Sequence, residues 1–159
     1  MKTIITTTPD QTMALGQKLG AALALEQIFF SIALAGDLGA GKTCFVQGLA
    51  RGLGVDQRYY ITSPTFNIIN EYPAAGRRLL HLDLYRLGES DELAYLGLEE
   101  LQKDDTVAAV EWPGLLEETG FKFNLHLKFQ FDADFNRIIS FLPSSQLHTD
   151  LLDGLFSKS

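Results

Sequence analysis

The chain has 159 residues, a length that fits one domain, so residues 1–159 are expected to form a single unit. A hydrophobic fraction of 46% and a charged fraction of 21% exclude charge-driven disorder and supply enough apolar surface for a core. With 13 basic and 20 acidic side chains, the net charge of -7 excludes a basic surface that grips a nucleic-acid backbone unaided.

The opening residues Met1 to Thr6 lack the charged end and apolar run of a signal peptide, and no stretch approaches the roughly 20 apolar residues of a membrane span. The cytoplasm is therefore the expected compartment. Thr8-Pro9-Asp10-Gln11 reads as a helix start: the Thr8 hydroxyl can cap a free N–H, proline suits the first helical position, and Gln11 completes a capping box. Met13, Leu15, Leu19, Ala22 and Leu23 then give an approximate helical stripe. The apolar run from Ile28 to Ala35 fits a strand buried on both faces. It runs into Gly36, and a helix is expected from Lys42 to about Leu53, closed by Gly52 or Gly54.

Beyond a loop holding Ser63-Pro64-Thr65, strand-like segments at about 66–72 and 77–85 flank Pro73-Ala74-Ala75-Gly76, the pattern of an antiparallel hairpin. A helix is expected from about Ser90 to Leu101, then a buried strand over Thr106 to Val110, closed by Glu111. Phe121, Phe123, Leu125, Leu127, Phe129 and Phe131 alternate with polar residues, a strand with one dry and one wet face. Asp132 to Asn136 turns the chain into a partner strand over Arg137 to Leu142. Residues 143–159 carry Leu147, Leu151, Leu152, Leu155 and Phe156, an amphipathic helical tail that packs on the domain or docks a partner. The expected fold class is α/β, with a central sheet of mixed parallel and antiparallel pairs.

Gly36-Asp37-Leu38-Gly39-Ala40-Gly41-Lys42-Thr43 satisfies G-x-x-x-x-G-K-[ST] in full, in the strand-then-helix context that the motif requires. The glycines let successive N–H groups point at phosphate oxygens, and the following helix adds the positive end of its dipole. Lys42 supplies a cation to the β- and γ-phosphates, and Thr43 offers a hydroxyl to magnesium. The implied ligands are ATP and Mg2+. Leu38 stands where a dinucleotide fingerprint needs its second glycine, and Cys44 reads as a packing residue. His81, His126 and His148 lack zinc-ligand spacing.

Such a loop needs an acidic partner for the metal. Glu111 stands at the carboxyl end of an expected central strand, the edge where ligands of open α/β sheets bind. Asp83 lies in an apolar strand, on one face with Leu79, His81 and Tyr85. Thr43 and Glu111 are thus the expected metal ligands. Asp83 would sit near the γ-phosphate as a catalytic group, with an ion pair to Arg86 or Arg78 as its plainer explanation. Trp112 could contact the nucleotide or a partner, or pack in the core. Thr65 resembles a switch threonine that senses the γ-phosphate, and Arg137 is a nucleotide contact or a solvated strand-end charge.

Together, G-D-L-G-A-G-K-T at Gly36–Thr43, S-P-T-F at Ser63–Phe66, H-L-D-L-Y-R-L at His81–Leu87 and E-W at Glu111–Trp112 resemble the bacterial TsaE (YjeE) family, over nearly the whole chain. The resemblance implies a P-loop ATPase of weak activity on its own. It would be required with TsaB and TsaD for threonylcarbamoylation of adenosine 37 of tRNA, and would meet tRNA only through that assembly. It also implies that Lys42 and Thr43 bind phosphate and metal, Glu111 binds magnesium, Asp83 supports hydrolysis, Thr65 is switch-like and Trp112 neighbours the site. A small nucleotide or metabolite kinase competes with this reading, although no arginine-rich lid is apparent. So does a module that binds ATP without hydrolysing it.

Overall fold

The computed structural model describes residues 1–157. In chain order its elements are β1 (Lys2–Thr6), α1 (Pro9–Leu23), β2 (Phe30–Ala35), α2 (Lys42–Leu53), β3 (Ile69–Pro73), β4 (Arg78–Asp83), two 3₁₀ segments (Ser90–Leu96 and Leu98–Gln102), β5 (Thr106–Glu111), α3 (Gly114–Glu118), β6 (Leu125–Phe131), β7 (Arg137–Pro143) and α4 (Gln146–Phe156). Residues 158 and 159 of the expected tail lie outside the described residues.

The strands form one sheet in the order β1-β7-β6-β2-β5-β4-β3. β2 pairs in parallel with β5 and β6, and β4 in parallel with β5; the β1–β7, β6–β7 and β3–β4 pairs are antiparallel. This is the mixed α/β sheet that the sequence pattern implied. The two strands without alternation, β2 and β5, are neighbours at its centre and are covered on both faces. Leu15, Leu19 and Leu23 of α1, Phe45, Leu49 and Leu53 of α2, and Leu152 of α4 pack on one side of the sheet. On the other side Leu93, Leu101, Leu116 and Phe123 meet Ala33, Leu80, Leu82 and Val110. Three layers result.

Helix α1 begins as its sequence requires: Thr8 Oγ1 accepts from Gln11 N–H, and Pro9 occupies the first turn. Gln11 Oε1 reaches back to the N–H of Thr7 rather than that of Thr8. Gly54 closes α2 in the left-handed conformation, φ 87°.

Several expected boundaries move. The helix expected over 90–101 is two 3₁₀ segments, because Gly97 turns left-handed (φ 62°) between them. The hairpin strands begin at Ile69 and Arg78 and the second ends at Asp83, which leaves Phe66 and Tyr85 in exposed loops. The alternating strand starts at Leu125, after Asn124 has bonded through its side chain to Ser31. Phe121 and Phe123 pack edge to face just before it. β1, a five-residue edge strand paired with β7, has no counterpart among the expected elements.

Candidate functional site

The site begins where β2 ends. Gly36 leaves the sheet with φ 151°, and a Cβ placed on it would lie 2.6 Å from the carbonyl oxygen of Phe129, so only glycine lets the chain pass so close to β6. Gly41 (φ 106°) is the N-cap of α2 and offers no side chain to accept from the first turn. The N–H groups of that turn have no intrahelical partner either, which leaves them free for an anion. Asp37, Leu38 and Gly39 are exposed on the rim, while Ala40 is buried beneath and donates its N–H to the Asp37 carbonyl at 3.1 Å.

Lys42 folds back inside this loop and is only 4% exposed. Its Nζ donates to the carbonyls of Gly36 at 2.6 Å and Asp37 at 2.8 Å, and lies 4.5 Å from the centre of the Trp112 ring. Burial pushes the ammonium below its usual range, against the opposing pull of Glu111, Asp83 and Asp37. Trp112 is half-buried, left-handed at φ 57°, and its ring packs at a tilt of 47° against that of Tyr85, with centroids 4.9 Å apart.

Sheet register brings the acids to the same edge. Glu111 pairs with Leu34 of β2 on one side and with Asp83 of β4 on the other, so both carboxyl groups stand beside the loop at strand carboxyl ends. Both residues are 3% exposed. Glu111 Oε1 accepts from Thr43 Oγ1 at 2.8 Å and faces His81 Nε2 at 2.9 Å. Asp83 Oδ2 accepts from Ser63 Oγ at 2.5 Å and Thr65 Oγ1 at 3.2 Å, and its Oδ1 accepts from the Tyr85 N–H at 3.0 Å. The ion pairs considered for Asp83 are not what holds it. Arg78 stands at the other end of β4, paired with Glu71 and Asp105, and Arg86 lies over the Phe66 ring. Arg137 sits behind the loop: a Cβ on Gly41 would come within 2.9 Å of its Nε, an atom that is buried with no hydrogen-bond partner among the described residues.

Lys42, Thr43, Thr65, Asp83, Glu111, Trp112 and Arg137, drawn from five places in the sequence, therefore surround one loop. Two buried carboxyl groups outnumber one buried ammonium, and hydroxyl and carboxylate oxygens meet beside the loop. That donor set suits a hard divalent cation. Among the described residues no group of three His, Cys, Asp or Glu side chains gathers as a metal cage. A cation here would take one or two protein oxygens and fill its shell from water and phosphate, as magnesium does. Two contributors were not assigned from sequence, Ser63 and His81. His81 was legible in part, since it precedes Asp83 by two residues and a strand puts such residues on one face. Ser63 had no periodic signal.

The family model for threonylcarbamoyl adenosine biosynthesis protein TsaE matches residues 6–139. The tRNA threonylcarbamoyladenosine biosynthesis protein TsaE of Bacillus subtilis (strain 168) is 40% identical over 150 residues, which cover 94% of this chain and 90% of that protein. The protein of the same name from Synechocystis is 48% identical over 107 residues, 65% of this chain and 64% of its own. The crystal structure of Bacillus subtilis YdiB superposes with a TM-score of 0.77 at 32% identity, over 97% of this chain and 93% of that one.

Proposed function

The chain belongs to the TsaE family of tRNA threonylcarbamoyladenosine biosynthesis proteins, and from that premise we propose that it binds ATP with magnesium at Gly36–Thr43 and hydrolyses it to drive that tRNA modification. The observation that carries the reading is the buried cluster at the loop's foot, where Lys42 lies within the loop and Thr43 is bonded to Glu111 at 2.8 Å. The free N–H groups of the loop and first turn receive the phosphates. Lys42 exchanges the Gly36 and Asp37 carbonyls for β- and γ-phosphate oxygens. Magnesium, when bound, would supply charge neutralisation to the phosphates. Thr43 and Glu111 are the residues that would hold it, the latter directly or through water. Asp83 orients the attacking water or accepts its proton, once the hydroxyls of Ser63 and Thr65 release it. Arg137 supports the loop from behind, and Trp112 covers the site's mouth.

On this reading residues 1–159 work as one ATPase domain in the cytoplasm, slow alone and faster with TsaB and TsaD. The net charge of -7 supports contact with tRNA only through those proteins. No helix among the described residues is long and apolar enough to cross a membrane.

The test is calorimetry with ATP, with and without magnesium, combined with ATP consumption and modification in the reconstituted system. Wild type is expected to bind and turn over. Hydrogen bonds from a charged donor contribute about 1.5–3 kcal/mol, so Lys42→Ala should bind ATP roughly 10–100-fold more weakly, stay folded and fail to sustain modification. No heat from wild type with ATP and magnesium, or equal multi-turnover modification by Lys42→Ala, overturns the assignment. Phosphoryl transfer to a nucleoside or nucleotide would establish a kinase instead.

A further inference from the structure

His81 lies in mid-β4, paired with Asn70 of β3 on one side and Ala109 of β5 on the other, and its side chain is fully buried. Its neighbours in the strand, Leu80 and Leu82, are ordinary core. Its own ring is different: Nε2 stands 2.9 Å from Glu111 Oε1, and Nδ1 is buried with no hydrogen-bond partner among the described residues. A carboxylate oxygen only accepts, so Nε2 is the donor of that bond. An unpaired buried nitrogen forfeits its hydration without compensation, a cost that an apolar ring in the same slot would not incur. The imidazole is thus a poor choice for packing, and its one polar contact is directed at the candidate metal site.

That contact has a geometric consequence. Glu111 Oε1 takes two hydrogen bonds, from His81 and from Thr43 Oγ1 at 2.8 Å, which fixes the carboxylate plane between β4 and the start of α2. Oε2 is left as the oxygen free to face a cation or its water shell. We propose that His81 is a positioning residue for the metal site: it saturates one oxygen of Glu111 and thereby presents the other to a divalent cation. The inference rests on the magnesium reading above. Outer-shell partners of this kind change metal affinity by about 10–100-fold when removed.

The experiment titrates magnesium into the full chain with ADP, reading heat and the ADP dissociation constant, for wild type, His81→Leu and His81→Gln. Removal of the outer-shell donor in His81→Leu should raise the magnesium concentration for half-maximal effect by about tenfold or more, with metal-free ADP affinity held within about twofold. The amide N–H of His81→Gln can reach the same oxygen and should restore the requirement to within about threefold of wild type. An equal fall of metal-free and metal-loaded affinity in His81→Leu would make the residue a core element only, and an unchanged magnesium requirement would also overturn the proposal. Should His81→Leu fail to fold, imidazole NMR of the wild type decides. A slowly exchanging Nε2 proton that shifts in Glu111→Gln supports the bond, and a ring without one refutes it. A wild type whose ADP binding ignores magnesium would overturn the functional reading and this inference with it.

Discussion

At the scale of single residues, the site is held by polar groups that the core has closed over. Asp83 is the clearest case. Its carboxylate takes the Ser63 and Thr65 hydroxyls and the Tyr85 N–H, while its own N–H donates to the carbonyl of Ile68 at 2.9 Å. Ile68 is left-handed at φ 68°, a conformation that costs a β-branched residue about 1–3 kcal/mol and persists only where neighbours impose it. Those neighbours are the Pro64 carbonyl, at 2.7 Å from its N–H, and Asp83. Asp83→Ala should therefore release residues 63–68. Each hydrogen bond to a charged acceptor is worth about 1.5–3 kcal/mol, so amide exchange across that loop should accelerate by about tenfold or more. The amides of α2 should keep wild-type rates. Hydrogen-exchange mass spectrometry checks this, and unchanged exchange at 63–68 would show that the loop is held by other contacts. Lys42 and Trp112 form a second such pair, an ammonium 4.5 Å from a ring whose backbone is held at positive φ.

At the scale of elements, the seat of α2 on α1 decides where the loop points. The two helices touch backbone to backbone through glycines. A Cβ on Gly48 would lie 1.9 Å from the Met13 carbonyl oxygen, and one on Gly16 would lie 2.1 Å from that of Phe45. Gly20 and Gly52 meet the facing helix in the same way. Spacings of four residues in each helix place both glycines on one face. Neither partner can yield, because the obstructing atoms are backbone. Gly48→Ala should cost about 3 kcal/mol or more, which for a chain of this size lowers Tm by about 6 °C or more. It should also weaken nucleotide binding, since α2 begins with Lys42 and Thr43 and must shift as a body. Gly114→Ala, where an added Cβ meets nothing within 4 Å, is the matched control and should leave both unchanged. Calorimetric melting of the two variants makes the comparison.

At the scale of the whole molecule, the site edge is opposed by a second buried polar centre. Arg77 is 4% exposed, and burial lowers its guanidinium pKa despite the nearby Asp105 and Glu26 charges. Its Nη1 donates to the carbonyls of Leu23 at 2.6 Å and Glu26 at 2.7 Å. Its Nη2 donates to those of Ile28 and Thr106. One planar fork thus joins the end of α1, the approach to β2 and the start of β5, at the amino ends of the parallel strands. Lysine has a single nitrogen and cannot serve both pairs. Arg77→Lys should lower stability by about 2–4 kcal/mol and move the urea midpoint down by about 1–2 M. Nucleotide affinity should stay unchanged, because the loop lies at the opposite edge. Urea denaturation followed by circular dichroism, with calorimetry on the folded variant, measures both, and an unchanged midpoint would mean that water satisfies those carbonyls instead.

Short-range chemistry was legible in the chain itself. The loop from Gly36 to Thr43, the Thr8 cap, the end of α2 and the buried runs of β2 and β5 each depend on residues within about one turn or one strand of each other, where local sterics and hydrogen bonding decide. Glu111 and Asp83 could be singled out because an acid at the end of an apolar run contradicts its surroundings. The 3₁₀ pieces, β1 and the late start of β6 could not be, since their hydrogen bonds are settled by what packs beside them. The same holds for the contacts that make a site of these residues. Thr43 and Glu111 are 68 positions apart, His81 and Glu111 are 30, and Ser63 and Asp83 are 20. No local pattern encodes those distances. They exist because the order of strands in the sheet puts β2, β5 and β4 side by side, and strand register then fixes which side chains share an edge.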